Sequence, residues 1–248
     1  MDQGIYTATA GAIAMEERLN IISNNIANLN TTGFKKDQMS FEQFQKSLDT
    51  SMLYTGQYKT VPIDVIPVST SIDLTPGTPV KTGNSLDVAL MGDGFFVVNT
   101  ENGSLYTRAG SFQLSTGNTL ITPGGYTVQG QGGDITIDPT KGQVVISPQG
   151  QVSQDGTAIG TLQVVKIPAE SLVREGNNLF SVKDGVTPEP VKNPSIVQGS
   201  LETANVEPIK EMVEMIAAQR AYDVFQKVII SANDAYSYSM HNVGTVAS

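Results

Sequence analysis

The sequence predicts a mixed α and β fold, with a long helix at each end of the chain and an all-β domain, barrel or sandwich-like, inserted between them. Three observations predict it. Apolar residues recur at helical spacing over residues 1–36. They do so again from about 206 to 238. Between about 72 and 201, short runs of Val, Ile, Leu, Phe and Thr alternate with Gly, Pro, Asn and Asp. The expected division is a helical arm at 1–35, an extended linker at 36–71, the β-domain at 72–201 and a second helical arm at 202–248.

In the first arm Ile5, Ala8, Ala12, Met15, Leu19, Ile22, Ile26 and Leu29 step by three and four without a miss. That spacing places all eight on one narrow seam, the a/d type with which one helix meets another, so the arms are expected to form a coiled-coil-like layer. Asn and Thr then accumulate, and Gly33 can turn left-handed, so the helix should stop near Asn28 to Thr32. In the linker Phe41, Phe44 and Leu48 would suit a short helix, and the stretch around Tyr54–Tyr58, Pro62 and Pro67 reads as extended chain.

In the β-domain, candidate strands include Ser85–Leu90, Gly94–Asn99, Leu105–Ala109, Tyr126–Gly130, Val144–Ile146, Gly160–Lys166 and Asn178–Val182. Asn102-Gly103, Gly117-Asn118, Pro123-Gly124-Gly125 and Asp155-Gly156 supply turns between such strands. Phe95-Phe96 reads as core. The closing arm places Ile209, Met212, Ile216, Tyr222, Phe225, Ile229, Ala232 and Tyr236 at helical spacing, with Gln219 and Arg220 set into the stripe. Asn205 is the expected N-cap, and Glu207 and Pro208 suit a first turn.

The 248 residues suffice for a sizeable core. Cysteine is absent, which excludes disulfides and thiolate metal sites. Only 16% of residues are charged, against roughly 25% in an average soluble domain, and the surface is instead rich in uncharged polar groups that desolvate readily in protein contacts. A net charge of −9 argues against nucleic acid or an anionic membrane as partner, and no apolar run is long enough for membrane insertion. The N-terminus, with Asp2 and no basic cluster, is not expected to be a secretory signal.

Chemistry is hard to place. The single histidine, His241, sits near the end of the closing stripe and is a poor basis for a triad or a metal site. Asp93-Gly94, Asp155-Gly156 and Asp184-Gly185 fit turns better than calcium loops. A β-fold could set Asp134 and Asp138 close, as a glycosidase pair requires, but a solvated strand edge explains them far better. Phosphate-loop, nucleophile-elbow and zinc-helix motifs are absent. The expectation is therefore no enzyme activity, no catalytic residues, no metal and no cofactor.

Three groups of motifs carry a resemblance. The first is Ser23-Asn24-Asn25-Ile26-Ala27-Asn28 followed by Asn30-Thr31-Thr32-Gly33-Phe34-Lys35. The second comprises Gly77, Thr82–Leu90, Gly92-Asp93-Gly94-Phe95-Phe96-Val97 and Tyr106-Thr107-Arg108-Ala109-Gly110-Ser111-Phe112. The third runs Glu202-Thr203-Ala204-Asn205-Val206-Glu207, then Met212–Ile216 and Ala218–Tyr222. In this order and spacing they resemble the bacterial flagellar axial proteins, the rod and hook group, across nearly the whole chain. Met1-Asp2 and Ile5-Tyr6-Thr7-Ala8 are most similar to the proximal-rod, F-type member. The distal-rod and hook-type members are the alternatives within the group. Pro208 departs from the group's usual closing motif and would shift the start of the last helix.

The resemblance implies a structural subunit of the basal-body rod. Its terminal helices would form the inner layer of a hollow, torque-transmitting tube, and its β-domain would lie outside. It implies as partners other copies of the chain, other rod and hook proteins and the flagellar type III export apparatus. Export would proceed without signal cleavage, into the periplasm-spanning rod. On that reading the assembly residues are the N-terminal seam together with Met212, Ile216, Gln219, Tyr222, Phe225, Ile229 and Tyr236. The family motif residues are Ser23, Asn24, Asn25, Asn28, Gly33 and Phe34. Two other classes stay open on the residues alone: a secreted β-domain enzyme or glycan binder with helical dimerisation arms, and a phage-tail or needle-type tube protein.

Overall fold

The computed structural model describes residues 2–40, 69–101 and 103–245. Phe41, Phe44, Leu48 and the rest of the linker's middle lie outside the described residues. The chain has an N-terminal helix, a central β-rich region and a C-terminal helix. It divides into two units. The helical unit is built on residues 2–27 and 207–245, together with 37–40 and 69–71, and the β-rich unit on 28–36 and 72–206.

In the helical unit, α1 (Asp2–Ala27) and α2 (Pro208–Thr245) lie side by side. Gly11 faces Phe225, Arg18 reaches Glu214 at 3.5 Å, and Asn25 reaches Glu211 at 3.4 Å. Positions rise along α1 as they fall along α2, so the helices are antiparallel. The inner face of α1 is built from small residues: Ala8, Ala12 and Ala14 are buried, with Ile22 further along. A Cβ added at Gly11 would stand 2.5 Å from the Phe225 ring, so the helices approach closely because that position has no side chain. α2 begins at Pro208, where a missing N–H leaves no hydrogen bond unmade. Asn205, the expected N-cap, lies three residues earlier, and its side chain serves the β-rich unit instead.

The β-rich unit is organised about the strand Phe95–Thr100. It pairs with Gly103–Thr107 on one side and with Thr127–Gly130 on the other, within a ten-stranded sheet. Its alternating side chains enter two different cores. Phe96 and Val98 belong to the larger, with Leu120, Val128, Val152 and Leu162; Phe95 and Val97 belong to the smaller, with Val165, Ile167 and Phe180. Edge-on ring contacts, Phe96 to Phe112 at 5.3 Å and Phe95 to Phe180 at 5.6 Å, fix both cores to this strand. A three-stranded sheet (Val144–Ile146, Gln151–Gln154, Thr157–Thr161) closes the larger core.

Several strands begin or end away from their expected positions, as with Val88–Met91 in place of Ser85–Leu90, because the Thr82–Asp87 stretch is a turn. Asp87 accepts hydrogen bonds from the Thr82 hydroxyl at 2.6 Å and the Asn84 amide at 3.0 Å. Two further pairs were not expected at all: Pro79–Lys81 with Ser200–Glu202, and Val88–Met91 with Ser195–Gln198. Pro79 opens a strand and Pro194 precedes one, positions where proline is tolerated but masks the strand signal.

The Gly11 contact generates a prediction. Gly11→Ala gains roughly 1 kcal/mol of helix propensity, which offsets a small ring displacement, so the helical transition should move little. Gly11→Val should destabilise the helix pair by about 1–3 kcal/mol through overpacking, and Phe225→Ala in the same chain should recover part of that loss. Urea unfolding followed at a helical circular-dichroism band measures both.

Candidate functional site

Two features stand out: a buried ionic cluster in the β-rich unit, and an uncovered apolar stripe on α2.

The cluster is built from segments far apart in sequence. Glu202 ends the strand Ser200–Glu202, and its side chain is 3% exposed. Its Oε1 accepts from Lys35 Nζ at 2.7 Å and from the Gly77 backbone N–H at 2.7 Å. Its Oε2 accepts from Arg108 Nε at 2.5 Å. Arg108, also 3% exposed, spends its remaining nitrogens on backbone carbonyls, those of Gly94 at 2.5 Å, Leu90 at 2.8 Å and Gly92 at 2.5 Å. Lys35, 1% exposed, donates to the Thr75 carbonyl at 2.8 Å as well. Burial holds the Lys35 ammonium below the ordinary lysine range, against the opposing pull of its bond to Glu202. Two cations thus share one carboxylate, with backbone dipoles satisfying what remains.

The segment Gly33–Lys36 is held along its length. The Gly33 N–H donates to the Glu202 carbonyl at 2.7 Å, and Asn205 N–H to the Phe34 carbonyl at 3.3 Å. Arg174 donates to the Lys35 carbonyl at 2.6 Å and stacks over the Phe34 ring at 4.9 Å. The Asn205 side chain accepts from Lys36 N–H at 2.8 Å and donates to the Asp73 carbonyl at 2.9 Å. Gly33 has φ of 65°, and a Cβ there would meet the Arg108 carbonyl group at about 2.5 Å. The fit therefore requires glycine on two independent grounds.

Asn25, 2% exposed, does a similar job within the helical unit. Its side-chain amide donates to the Asp37 carbonyl and accepts from the Asp37 N–H, both at 3.0 Å, in the manner of a neighbouring strand. Of the other motif residues, Ser23 and Asn24 are exposed, Asn28 accepts from the Thr31 hydroxyl at 3.0 Å, and Phe34 is buried.

The expected assembly positions fall on different faces. In α1, Ala8, Ala12 and Ile22 are buried and Ile5, Met15, Leu19 and Ile26 half-buried, on the side that meets α2. Leu29, also half-buried, lies just past the helix. In α2 the stripe divides. Tyr222, Phe225, Ile229 and Ala232 are half-buried, on the same side as the buried Glu211 and Ala218. Ile209, Met212 and Ile216 lie on the opposite side and, with Val213, are 80%, 51%, 55% and 61% exposed; Gln219 and Tyr236 are exposed as well. The side chain of His241 lies outside the described residues.

Lys35, Arg108 and Glu202 were present in the sequence motifs, but periodicity could not single them out, since a charge reads as surface until its partner is known. Asp134 and Asp138 are occupied locally, the first by the Gln129 amide and the second by Thr140.

Glu202→Gln leaves two buried cations without their counter-charge and should cost about 3–5 kcal/mol of β-unit stability; Lys35→Met keeps a one-to-one Arg108–Glu202 pair and should cost clearly less. Thermal melts of the two variants decide the order. A second expectation concerns pH. The folded Lys35 value lies below the unfolded one, so between the two the unfolded chain binds the extra proton. Stability from this group should therefore rise with pH across that alkaline window, and its full cost should be felt below it. Lys35→Met should remove that slope from urea midpoints measured against pH.

Comparison with known proteins agrees with the motifs. Residues 5–35 match the family model described as flagella basal body rod protein, and residues 89–154 match that of the flagellar hook protein FlgE/F/G D1 domain. Residues 197–240 match that of the flagellar basal body rod FlgEFG protein C-terminal. The chain is 32% identical over 253 residues to the flagellar basal-body rod protein FlgF of Caulobacter vibrioides, covering 99% of this chain and 100% of that one. It is 33% identical over 272 residues to FlgG of Agrobacterium fabrum, covering 97% and 99%. With FlgG of Bacillus subtilis the identity is 32% over 257 residues, covering 94% and 96%.

Proposed function

Since the chain belongs to the flagellar basal-body rod protein family, it is a structural subunit of the flagellar basal body, and we propose that it polymerises through its helical unit with further copies and with other rod and hook proteins. The observation that carries this reading is the two-sided α2. One face packs on α1. The opposite face leaves Ile209, Met212, Val213 and Ile216 in solvent at i, i+3, i+4 and i+7 spacing. A helix apolar on both sides is built to be covered on both. Each large side chain of the stripe would contribute on the order of 1.5–3 kcal/mol once buried.

In this reading α1 and α2 form a coiled-coil-like inner layer of a torque-transmitting tube, and the β-rich unit a sandwich-like outer body. The antiparallel helix contacts and the two sheets facing one larger core support it. We assign the chain to the proximal rod, as an F-type member, supported by end-to-end alignment with the Caulobacter FlgF. We read it as non-catalytic, exported by the flagellar apparatus without signal cleavage and resident in the periplasm-spanning rod. The structural role of the family supports the first of these.

Ile216→Asp tests the outer stripe. The exposed position should leave the monomer's melt within about 0.5 kcal/mol of the parent while blocking rod incorporation and motility in a strain lacking the native gene. Ile22→Asp, at a site 3% exposed between packed helices, should instead lower the helical transition by about 3 kcal/mol or more. Normal rods carrying Ile216→Asp would end the proposal that this face is an assembly surface.

A further inference from the structure

A pocket of about 260 Å³ opens on the β-rich unit where the strand Phe95–Thr100 begins beside its neighbour Val164–Lys166, with Val165 paired to Phe95. It lies just below the size range of drug-sized ligands, so it suits a small molecule or a single side chain. Phe95, Ile167 and Pro168 give it apolar wall. Lys35 and Arg108, the two buried cations of the Glu202 cluster, line it as well.

That cluster is not balanced in charge. Lys35 and Arg108 bring two positive charges to one carboxylate, while the nearby pair of Lys36 with Asp73, at 3.9 Å, is balanced by itself. Backbone carbonyls occupy most of the remaining donors but supply no counter-charge. Nor do they occupy all of them. An ammonium carries three N–H groups and a guanidinium five. Among the described residues, Lys35 gives two, to Glu202 and the Thr75 carbonyl. Arg108 gives four, to Glu202 and to the carbonyls of Leu90, Gly92 and Gly94. One N–H of each is left, on Lys35 Nζ and on Arg108 Nη1. Both atoms are held beside the pocket. Nη1 donates its other hydrogen to Gly94, which lines it, and Nζ is bonded to Thr75, next to the lining residue Leu74. A buried charge without its counter-charge is costly, and burial already holds the Lys35 ammonium below the ordinary lysine range.

These features select a ligand class. Lys166 and Asp93 also line the pocket, as an exposed pair at 2.7 Å, and Glu189 stands opposite Lys166 on the next strand. A phosphate dianion would carry more charge than the single excess cation can balance, and would lie close to Asp93. A neutral ligand would leave that excess in place. A halide would leave the apolar wall without contacts. A carboxylate on a short aliphatic stem answers both needs. Its two oxygens accept from the two remaining N–H groups, and its methylenes cover apolar wall. We propose that this pocket binds one carboxylate group on a short aliphatic stem, with the charged end at Lys35 and Arg108 and the stem against Phe95, Ile167 and Pro168. A free short-chain acid and a glutamate side chain of another polypeptide present this same chemistry, and the test separates them. The proposal rests on the β-rich unit alone and is independent of the rod assignment.

The test titrates the isotope-labelled full chain, at constant ionic strength, with propionate, propionamide, phosphate and glutamate capped at both ends, following backbone amides by NMR. The expected result is saturable binding of propionate, with shifts centred on Gly94, Phe95, Ile167 and Ala169, and about ten-fold or more tighter than that of propionamide or phosphate. Capped glutamate binding as tightly as propionate assigns the site to a protein side chain; binding of propionate alone assigns it to a free acid. Lys35→Met leaves Arg108 and Glu202 as a balanced pair and should weaken binding about ten-fold. Ala169→Leu, at a half-buried lining position, should weaken it to a similar degree by filling the pocket, with the ionic cluster intact. That variant decides alone if Lys35→Met does not fold. Failure of both carboxylates to saturate, equally tight propionamide or phosphate, shifts that map elsewhere, or undiminished binding in a folded variant would each overturn the proposal.

Discussion

The Glu202 carboxylate is the point on which the β-rich unit depends. It gathers Lys35, the Gly77 N–H and Arg108, and Arg108 extends the same network to the carbonyls at 90, 92 and 94. Replacing such a cluster with apolar residues of equal volume need not cost stability. What apolar side chains cannot supply is direction. A guanidinium with its nitrogens committed, and a carboxylate with both oxygens taken, admit one arrangement of five chain segments and penalise every other. Residues from each of the three family-matched stretches meet here: Lys35 from the first, Arg108 from the second, Glu202 from the third.

The helical unit follows a different logic. Its inner contact is made close by absent side chains, at Gly11 and the neighbouring alanines, and oriented by Asn25, whose neutral amide binds both backbone groups of Asp37. Its outer surface withholds apolar area from its own chain. A subunit with a finished interior and an unfinished helix face is suited to assembly without refolding, since the partner adds contacts and does not have to rearrange existing ones.

Much of this was legible in the sequence, for reasons that differ by element. The period of α1 placed its seven helical seam residues on the side that meets α2, because a narrow stripe of eight residues joined by seven matched steps permits one helical face. The stripe on α2 was legible as helical but not as two faces. Apolar residues on opposite sides of a helix produce a blurred period, and Glu211, buried on the inner side, carries no hydrophobic signal. Phe95-Phe96 was legible as core because two adjacent aromatics in a strand must enter opposite layers. The strands at Pro79–Lys81 and Ser200–Glu202 were not, since proline and charge hide short edge pairs. The ionic cluster was invisible for a deeper reason: Lys35 and Glu202 are 167 positions apart, and no local pattern reports a charge that is neutralised by folding.

The burial of that cluster also fixes how the molecule answers to ionic strength. Counter-ions screen charges that water can reach, over roughly 8–10 Å at moderate salt. Lys166 with Asp93, at 58% and 68% exposure, and Arg18 with Glu214, at about a third, are open to that screening. Lys35, Arg108 and Glu202, at 1–3% exposure, are screened much less, because little of their surface meets the solvent. Concentrated and dilute media therefore loosen or tighten the molecule chiefly at its surface, while the joint that unites its distant segments changes little between them.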